Sequence, residues 1–486
     1  MDKRLVLVFC ALFVLAACVP AFAAVQNIKV SGDILARVIA RQNLDLIKGN
    51  GGTRNEDEID VFNSVARLRV DAELTENVSA VVRLINERNW EEANATSTDI
   101  DLDLAYVTMK EFLCYAPLAI GIGRQELHFG NDMIIGDGVG SDPNGSVVNS
   151  GGIGTNQYTN YSEALGYADV AGLRTANGDL AYRKAFDAIR ATLDYDPLVV
   201  DVVFAMIGEG NITGAETADD IYLYGINAGY KLDDKWNTSA EAYWWNKDMQ
   251  TSGVAVGAGS DKVDRTTTLG ARVSTNPTEK LNLQQEVAFQ GGRKNNGSGI
   301  IRGTIRDRNA WASQSMVTVV PGWKHDPVFG MVYSYFSGDS DPASIGASAD
   351  KDYYAWDPMF ENQTAGRLIN ALFPQWNCHN VDIMMTLKPD FVEDVTLRLD
   401  WVYQALAKAQ SNAGTSLAND YNSALVFNAN KKEIGQEVDV TLTYDYTEDV
   451  QFGLCTDWFM PARAVKTTTD KSATANEVIA SCKVEF

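Results

Sequence analysis

The last stretch of the chain, NEVIASCKVEF, runs from Asn476 to Phe486. Apolar residues occupy every second position of this stretch and polar residues stand between them, with Ile479 as the one exception. A period of two places the two sets on opposite faces of a β-strand. Such a strand, ending on a bare Phe, fits the edge of an ordinary sheet or a strand that closes a larger one. The rest of the chain has to distinguish these two cases.

Segments with the same alternation recur along the whole chain, and long and short connections join them in turn. We recognise about eighteen such segments. The predicted strands are 28–41, 66–74, 78–87, 100–110, 118–129, 185–195, 199–207, 222–232, 236–245, 269–274, 281–290, 311–320, 329–336, 381–388, 395–404, 438–446, 450–458 and 476–486. The regular change from long to short connections predicts antiparallel strands with tight turns at one end and long loops at the other.

The faces of these segments distinguish a membrane barrel from a soluble sandwich. In the segment 438–446, for example, the apolar face ends in Tyr444 and Tyr446. Aromatic residues near strand ends are typical of the girdles at a membrane interface. A soluble sandwich also has apolar-in, polar-out strands, but it does not normally repeat them over so many strands in one domain. We therefore predict an all-β fold, a transmembrane antiparallel β-barrel of about eighteen strands with short periplasmic turns and long extracellular loops.

The terminal strand resembles the closing strand of bacterial outer-membrane β-barrels. In that class the final aromatic residue is part of the assembly signal. The resemblance implies that the barrel-assembly machinery recognises Phe486. It also implies that the strand pairs with the first segment, 28–41, and turns Val478, Ala480, Cys482, Val484 and Phe486 toward lipid.

Composition excludes several other classes. The net charge of −23 leaves no basic excess to neutralise phosphates, so nucleic acid is not an expected partner. After the N-terminus no run of eighteen apolar residues occurs, which excludes helical membrane spans. The three histidines, His128, His325 and His379, are dispersed, and no nucleophile elbow, paired metal ligands or phosphate loop is present. We therefore expect neither an enzyme nor a cofactor.

The N-terminus carries export signals. Basic residues precede the apolar run 5–19, and Ala21-Phe22-Ala23 follows as a cleavage site, so residues 1–23 are predicted to be a signal peptide and 24–486 the barrel. An alternative lies within the run, because Leu15-Ala16-Ala17-Cys18 fits a lipobox that would make Cys18 a lipidated N-terminus. The four remaining cysteines are too far apart for a disulfide scaffold or a zinc cluster. Of these, Cys455 and Cys482 fall on opposite strand faces, and no bridge between them is expected.

One segment carries a family resemblance. Residues 123–130, GRQELHFG, followed by Ile134-Ile135-Gly136-Asp137, resemble a conserved segment of the alginate-export family of outer-membrane porins. The segments 67–71 and 83–88, and the passage 356–360, are similar to further parts of that family. The resemblance implies an eighteen-stranded barrel. The loop after Gly136 lacks the Arg-rich continuation associated with polysaccharide exporters, so the resemblance leaves the substrate undefined.

The polar faces of the predicted strands supply candidate pore-lining residues. Basic residues come mainly from the first three strands, and acids concentrate on the later strands from Asp382 onward. Opposed basic and acidic rows would create a transverse field, and charged rings select ions by sign. Equally, these charges could pair with cross-strand neighbours and stabilise the wall. The candidates are Arg37, Arg67, Arg69, Arg83, Arg124, Arg190, Arg272, Arg398, Asp382, Asp400 and Asp439.

Two long connections, 130–183 and 338–379, interrupt the pattern. A structureless insert of this length inside a compact domain usually carries function or is disordered. The first, rich in Tyr, Asp and Asn, is the better candidate for a loop folded into the lumen. Its Asp-Gly run, 137–145, lacks the spacing of a calcium loop.

The sequence therefore favours a porin, a passive channel for hydrophilic solutes in the cell outer membrane. Two alternatives remain open: a dedicated export channel for an anionic polysaccharide, and a barrel sleeve that houses a partner protein such as an electron carrier. The expected partners are outer-membrane lipid and lipopolysaccharide, the permeating solutes and the assembly machinery. Both a monomer and a homotrimer remain open.

Overall fold

The structure is a computed structural model that describes residues 27–44, 46, 58–90, 100–136, 180, 182, 184–208, 221–232, 235–250, 263–295, 305–341, 351–363, 365–373, 375–390, 393–411, 428–465 and 472–486. The predicted signal peptide, Cys18 and most of the connection 130–183 lie outside these residues. No helix in the described part of the chain is long and apolar enough to span a membrane.

Period-two alternation produces strands along nearly all of the described chain. In order they are β1 (Asn27–Gln42), β2 (Glu58–Thr75), β3 (Val78–Asn89), β4 (Asp101–Met109), β5 (Leu118–Gln125), β6 (Phe186–Asp194), β7 (Leu198–Gly208), β8 (Ile221–Lys231), β9 (Ser239–Gln250), β10 (Val263–Thr278), β11 (Leu281–Asn295), β12 (Ile305–Arg308), β13 (Ala310–Val319), β14 (Val328–Phe336), β15 (Asp352–Tyr353), β16 (Cys378–Leu387), β17 (Val395–Leu406), β18 (Glu433–Asp445), β19 (Val450–Pro461) and β20 (Ala475–Glu485). A short helix, α1 (Arg367–Leu372), and a 3₁₀ turn (Phe112–Cys114) accompany them.

All of these strands except β12 and β15 form one closed antiparallel wall of eighteen strands. The short β12 continues the wall beside β11, and β15 pairs with β12. The turns at one end are short, as between β2 and β3 or β10 and β11, whereas long loops connect the strands at the other end. The predicted fold and strand number are confirmed. By the usual asymmetry of such barrels the short turns are periplasmic.

The barrel closes where the sequence predicted. β1 pairs with β20 along a regular antiparallel register that includes Ala36 opposite Cys482 and Val38 opposite Ala480. Beyond the strand end, Gly32 and Phe486 exchange both backbone hydrogen bonds, at 2.8 and 3.0 Å. The last residue of the chain therefore completes the seam.

Gly32 leaves room for this final aromatic residue. A Cβ at position 32 would lie 2.5 Å from the backbone oxygen of Arg67 and 2.8 Å from Cζ of Phe486. We expect Gly32→Val to destabilise the seam by about 1–3 kcal/mol, because the backbone or the ring must shift. Thermal unfolding of the purified barrel measures the effect. Gly291→Ala is the matched control, since a Cβ there has open space, and equal stability of Gly32→Val and wild type would contradict the expectation.

The two faces of the wall differ as the alternation predicted. Outward residues such as Ile34, Leu269 and Phe289 are 48, 61 and 59% exposed, whereas the inward neighbours Leu35 and Thr268 are 5 and 0% exposed. A water-soluble protein does not expose a continuous apolar surface of this extent. The outward face is therefore the lipid-facing surface of a transmembrane barrel. Among the cysteines, Cys455 is buried on the inward face and Cys482 lies on the outward face, and both are free thiols.

Several strand boundaries differ from the prediction. The strand expected over 118–129 ends at Gln125, and the chain then turns into the barrel. Gly123, with φ of 124°, lies so close to β4 that a Cβ would meet the oxygen of Ala105 at 2.1 Å, so the backbone leaves regular strand geometry here. The strands β2 and β10 begin earlier than expected, at Glu58 and Val263. In β10 the residues 264–268 are polar on both faces, and in β2 the adjacent apolar residues Val61 and Phe62 interrupt the alternation.

Candidate functional site: the barrel lumen

Most of the predicted pore-lining residues point into the barrel. Each of them shares the parity of buried residues and alternates with lipid-facing ones, as Arg37 does between Ala36 and the 48%-exposed Val38. The inward candidates are Arg37, Arg67, Arg69, Arg83, Arg190, Arg272, Arg398, Asp382, Asp400 and Asp439.

Arg124 is the exception, and its prediction as a pore-lining residue is wrong. It lies opposite Asp187 on β6, one step beyond the lipid-facing pair Ile122 and Ile189. Its guanidinium is 3.6 Å from Asp187, and the two side chains are 41 and 60% exposed. Parity along the strand indicates this position, because Arg124 is two residues from the lipid-facing Ile122 and shares its face.

Acidic neighbours on the wall neutralise the basic candidates. Arg67 bonds Asp33 at 2.9 Å, and four further pairs have distances of 2.7 Å. These four are Arg69–Asp71, Arg190–Asp201, Arg272–Glu241 and Arg398–Asp400. Arg83 bonds both Asp103 and Glu126. Pairing between neighbouring strands, considered from sequence, is therefore present, whereas Arg69–Asp71 and Arg398–Asp400 are pairs within single strands. The first three strands do not form a free cationic surface.

The later strands carry an acidic band. Asp400, Asp439, Asp457 and Glu477 lie directly opposite one another from β17 to β20, and Arg41 of β1 continues the same row and bonds Glu477. Asp382 and Glu437 also point inward here. These six acids contact three arginines: Arg41, Arg367 at 3.7 Å from Asp457, and Arg398. The concentration of acids that the sequence predicted is thus real, and it exceeds the local positive charge.

Two loop segments fold into the extracellular half of the lumen, and we call residues 127–136 and 356–363 together the inner plug. A parallel bridge joins them: Gly136 N donates to Phe360 O at 2.8 Å, and Phe360 N donates to Ile134 O at 3.1 Å. Asn362 N donates to Asp132 O at 2.9 Å. The plug therefore satisfies part of its own backbone hydrogen bonding inside the barrel.

The inner plug packs on an apolar patch of the wall. Phe129 contacts Trp245 at a ring distance of 5.0 Å, and Phe360 contacts Phe186 at 5.8 Å. The wall side of this core is built from inward residues of β6 to β16. Its members are Phe186, Ala188, Val203, Ala205, Ile221, Leu223, Tyr243, Trp245, Ala288, Ala310, Ala312, Phe336 and Cys378.

Asp357 anchors the plug electrostatically. Its carboxylate accepts hydrogen bonds from Lys247 Nζ at 2.7 Å and Thr266 Oγ1 at 2.8 Å, and Arg308 lies 3.7 Å away. Its backbone amide and carbonyl bond the side chain of Gln290 at 2.8 and 2.6 Å. One plug residue is thus held by four wall strands, β9 to β12. A buried carboxylate is stable here because both its charge and its oxygens are satisfied.

Helix α1 fills the lumen next to the acidic band. Glu437 accepts hydrogen bonds from the backbone N–H groups of Leu368 and Ile369 at 2.8 and 2.6 Å, which satisfies two donors that a helix start leaves unpaired. The helix buries Leu368, Ile369 and Leu372 against inward residues of β17 to β20.

The lumen is more open on the periplasmic side. Near that end the side chains of Arg69 and Asp71 are 33 and 34% exposed, whereas Arg41 and Glu477 toward the extracellular end are fully buried. Both pairs point inward, so their difference in exposure arises because loops cover the extracellular pair and not because the wall strands differ. A polar vestibule therefore lies below the inner plug.

The prediction that the connection 130–183 folds into the lumen falls mostly on residues outside the described part of the chain. The described part of the connection 130–183 does enter the lumen, but the connection 338–379 contributes Trp356, Asp357 and Phe360, which no prediction had placed there. A signal was present at the extracellular ends of β7 and β8, where apolar residues occupy both faces, as at Val203 beside Phe204, and a covered inner wall favours that composition. Among the described residues no group of His, Cys, Asp or Glu is arranged to hold a metal ion.

The closed eighteen-stranded wall, its lipid-facing surface and its loop-filled lumen define a β-barrel of the outer-membrane class. A family model described as alginate export matches residues 175–479, more than half of the chain. The protein therefore belongs to the alginate export family, as the segment 123–130 suggested, and it is a protein of the cell outer membrane. No curated protein matches the chain.

Solved structures share the fold. OccK1 (OpdK) of Pseudomonas aeruginosa is 9% identical, with a TM-score of 0.51 over 95% of this chain and 100% of its own. OpdQ of the same species is 13% identical, with a TM-score of 0.50 over 96% of this chain and 100% of its own. OccK9 (OpdG) of the same species is 9% identical, with a TM-score of 0.51 over 95% of this chain and 99% of its own. At these identities the likeness concerns the fold alone.

Proposed function

We propose that the protein is a porin, a passive channel for hydrophilic solutes whose lumen the inner plug narrows. A barrel of eighteen strands is wide enough to leave an aqueous channel. The half-exposed Arg69–Asp71 pair below the plug supports a water-filled periplasmic vestibule. The function needs no bond chemistry, and the acidic and basic groups of the wall act as fixed charges rather than as catalysts.

The charge distribution favours cations over anions. The basic side chains of β1 to β3 are matched by Asp33, Asp71 and Asp103, whereas the acidic band of β16 to β20 outnumbers its arginines. Fixed charges in a pore select by sign. The observation that supports this preference is the acidic band, whose partly buried member Asp382 faces the lumen, whereas its other five acids are buried.

An export channel for an anionic polysaccharide is the second candidate, and the family match favours it. That function calls for a continuous cationic lumen, which the paired arginines of this wall do not supply. A sleeve around a partner protein calls for a wide lumen without infolded loops, and the inner plug makes this the weakest of the three.

Planar-bilayer recording of the purified barrel distinguishes the candidates. We expect stable single-channel conductance and a reversal potential that indicates cation preference under a salt gradient. Anion preference would favour the exporter, and a non-conducting barrel would contradict the channel.

We also propose that the barrel-assembly machinery recognises Phe486, the residue that pairs with Gly32 at the seam between β1 and β20. Deleting Phe486 removes both backbone hydrogen bonds to Gly32 and the aromatic end of the chain. We expect much lower levels in the outer membrane, measured by fractionation, while total synthesis is unchanged. Normal outer-membrane levels of the deletion variant would count against recognition of this residue. Whether the barrel is a monomer or a homotrimer can be measured on the same preparation.

A further inference from the structure

The outward face carries a row of charges where the lipid-facing surface ends. Along one register row from β5 to β12, the outward residues are Arg124, Asp187, Met206, Tyr222, Asp248, Arg265, Arg293 and Asp307. The next outward rows toward the periplasm contain apolar residues such as Ile189, Leu269 and Phe289, which are 48, 61 and 59% exposed. The charged row therefore lies at the extracellular border of the apolar belt.

Two arginines of this row face each other across neighbouring strands. Arg265 of β10 lies directly opposite Arg293 of β11, where Cβ atoms are about 5 Å apart. Like charges in this position repel each other and destabilise the strand pair. Asp248 neutralises Arg265, whereas Arg293 forms no ion pair with any described residue, so this row has one positive charge that is free to bind an anion outside the barrel.

Arg265 is fixed in place for such a role. Its Nε and Nη2 donate to the two carboxylate oxygens of Asp248 at 2.7 and 2.9 Å. Asn246 and Tyr224 also donate to Asp248, at 2.8 and 3.3 Å, so that carboxylate is saturated. The remaining Nη1 group of Arg265 has no hydrogen-bond partner among the described residues.

Arg293 is exposed and unpaired in the described structure, although Asp307 is its neighbour on the other side. No ion pair joins Arg293 to Asp307 or to any other described residue. Two guanidinium groups, one held by Asp248 and one free, present the geometry that binds the oxygens of a phosphate.

The surface below the two arginines fits an acyl chain. Gly291 lies between Arg293 and Phe289 on the outward face of β11, and a Cβ at Gly291 would meet nothing within 4 Å. Leu269 and Phe289 then face each other across β10 and β11 as exposed apolar residues. The two arginines thus lie next to the open space at Gly291, and that space borders the apolar surface of Leu269 and Phe289.

We propose that Arg265 and Arg293 bind a phosphate group of the lipopolysaccharide lipid anchor, and that its acyl chain lies over Gly291, Leu269 and Phe289. The site is on the lipid side of the wall and is independent of the channel in the lumen. Bound phosphate also reduces the repulsion between the two arginines, because it supplies a contacting counter-charge to Arg293, which forms no ion pair with any described residue.

Titration of the detergent-solubilised barrel with fluorescent diphosphoryl lipid A tests the site. We expect saturable binding that Arg293→Ala weakens about tenfold, corresponding to about 1.4 kcal/mol, and that Arg293→Lys partly restores. Arg124→Ala is the matched control, because Arg124 lies in the same row beside Asp187 with no second arginine. The Arg124→Ala barrel should bind lipid A with an affinity within about twofold of the wild-type affinity, because surface substitutions away from a binding site usually have small effects.

A stability measurement provides an independent readout. Without lipid, Arg293→Ala should unfold at the same temperature as wild type or higher, because the variant relieves the repulsion with Arg265. With lipid A present, wild type should become the more stable protein by mass action. Unchanged lipid affinity of Arg293→Ala, equal weakening by Arg124→Ala, or equal competition by millimolar inorganic phosphate would each overturn the assignment to a phosphorylated lipid.

Discussion

Replacing Asp357 by Ala should release the inner plug and increase the single-channel conductance. The change removes the carboxylate partner of the partly buried Lys247 and leaves the buried Arg308 with Asp264, and breaking one side of a buried ion pair costs about 3–5 kcal/mol. A loss of about 3 kcal/mol changes the ratio of docked to undocked plug by roughly 150-fold. The eighteen-stranded wall does not depend on this contact and should remain closed.

Bilayer recording before and after the substitution measures the effect, with far-UV circular dichroism to verify that the barrel is intact. Asp390→Ala is the control, since Asp390 pairs with Lys324 in an exposed periplasmic turn far from the plug. Wild-type conductance in an intact Asp357→Ala barrel would show that the plug does not limit ion flow.

The same anchor predicts little pH dependence in the wild type. Burial by itself raises the pKa of Asp357, but Lys247 and Arg308 outweigh burial and hold that pKa well below its usual range. Because the pKa of Asp357 is lower in the folded protein than in the unfolded chain, where it is about 4, its ion pairs stabilise the docked plug fully above about pH 4. This stabilisation declines only as the pH falls further. Conductance should therefore stay constant from pH 8 to about pH 5.

Replacing Asp382 by Asn should reduce the cation preference of the channel. Asp382 is a member of the acidic band that is only partly buried, so in its ionised form its charge acts on ions in the lumen. One unit charge about 4 Å from an ion in a water-filled pore contributes about 1 kcal/mol, or roughly a fivefold change in relative permeability. The reversal potential under a salt gradient measures this ratio.

Arg398→Gln provides the opposite test. Arg398 lies on the neighbouring strand and bonds Asp400 at 2.7 Å, so removing its positive charge should increase the cation preference. Shifts of the two variants in the same direction, or no shift in either, would contradict a selectivity set by the acidic band.

The fold was predictable because its signal is repeated. Each strand carries its own period-two pattern, so an error at one strand, such as the wrong end at Phe129 instead of Gln125, leaves the strand number intact. The seam was predictable for the same reason, since closing the wall requires the first and last strands to meet. The inward direction of Arg37 or Asp400 follows from parity alone.

The lumen was only partly predictable. Parity places Arg398 and Asp400 on the inner face, but it does not say that the two bond each other rather than a solute. Nor does it reveal that Asp357, distant in sequence from Lys247, Thr266 and Gln290, meets all three inside the barrel. Loops carry no periodicity, so their path depends on contacts that exist only after the wall has closed.

The closing stretch 476–486 shows which properties follow from the sequence and which depend on the tertiary structure. By itself this stretch determined that it is a strand and which of its residues share a face, because those properties follow from local alternation; that it closes a barrel followed from the same pattern in the other segments of the chain. Only the tertiary structure decided that Phe486 lies over Gly32 and that Glu477 joins a band of acids running from β17 to β20. These contacts join residues tens to hundreds of positions apart, and their energies depend on distance and burial, which a linear pattern does not contain.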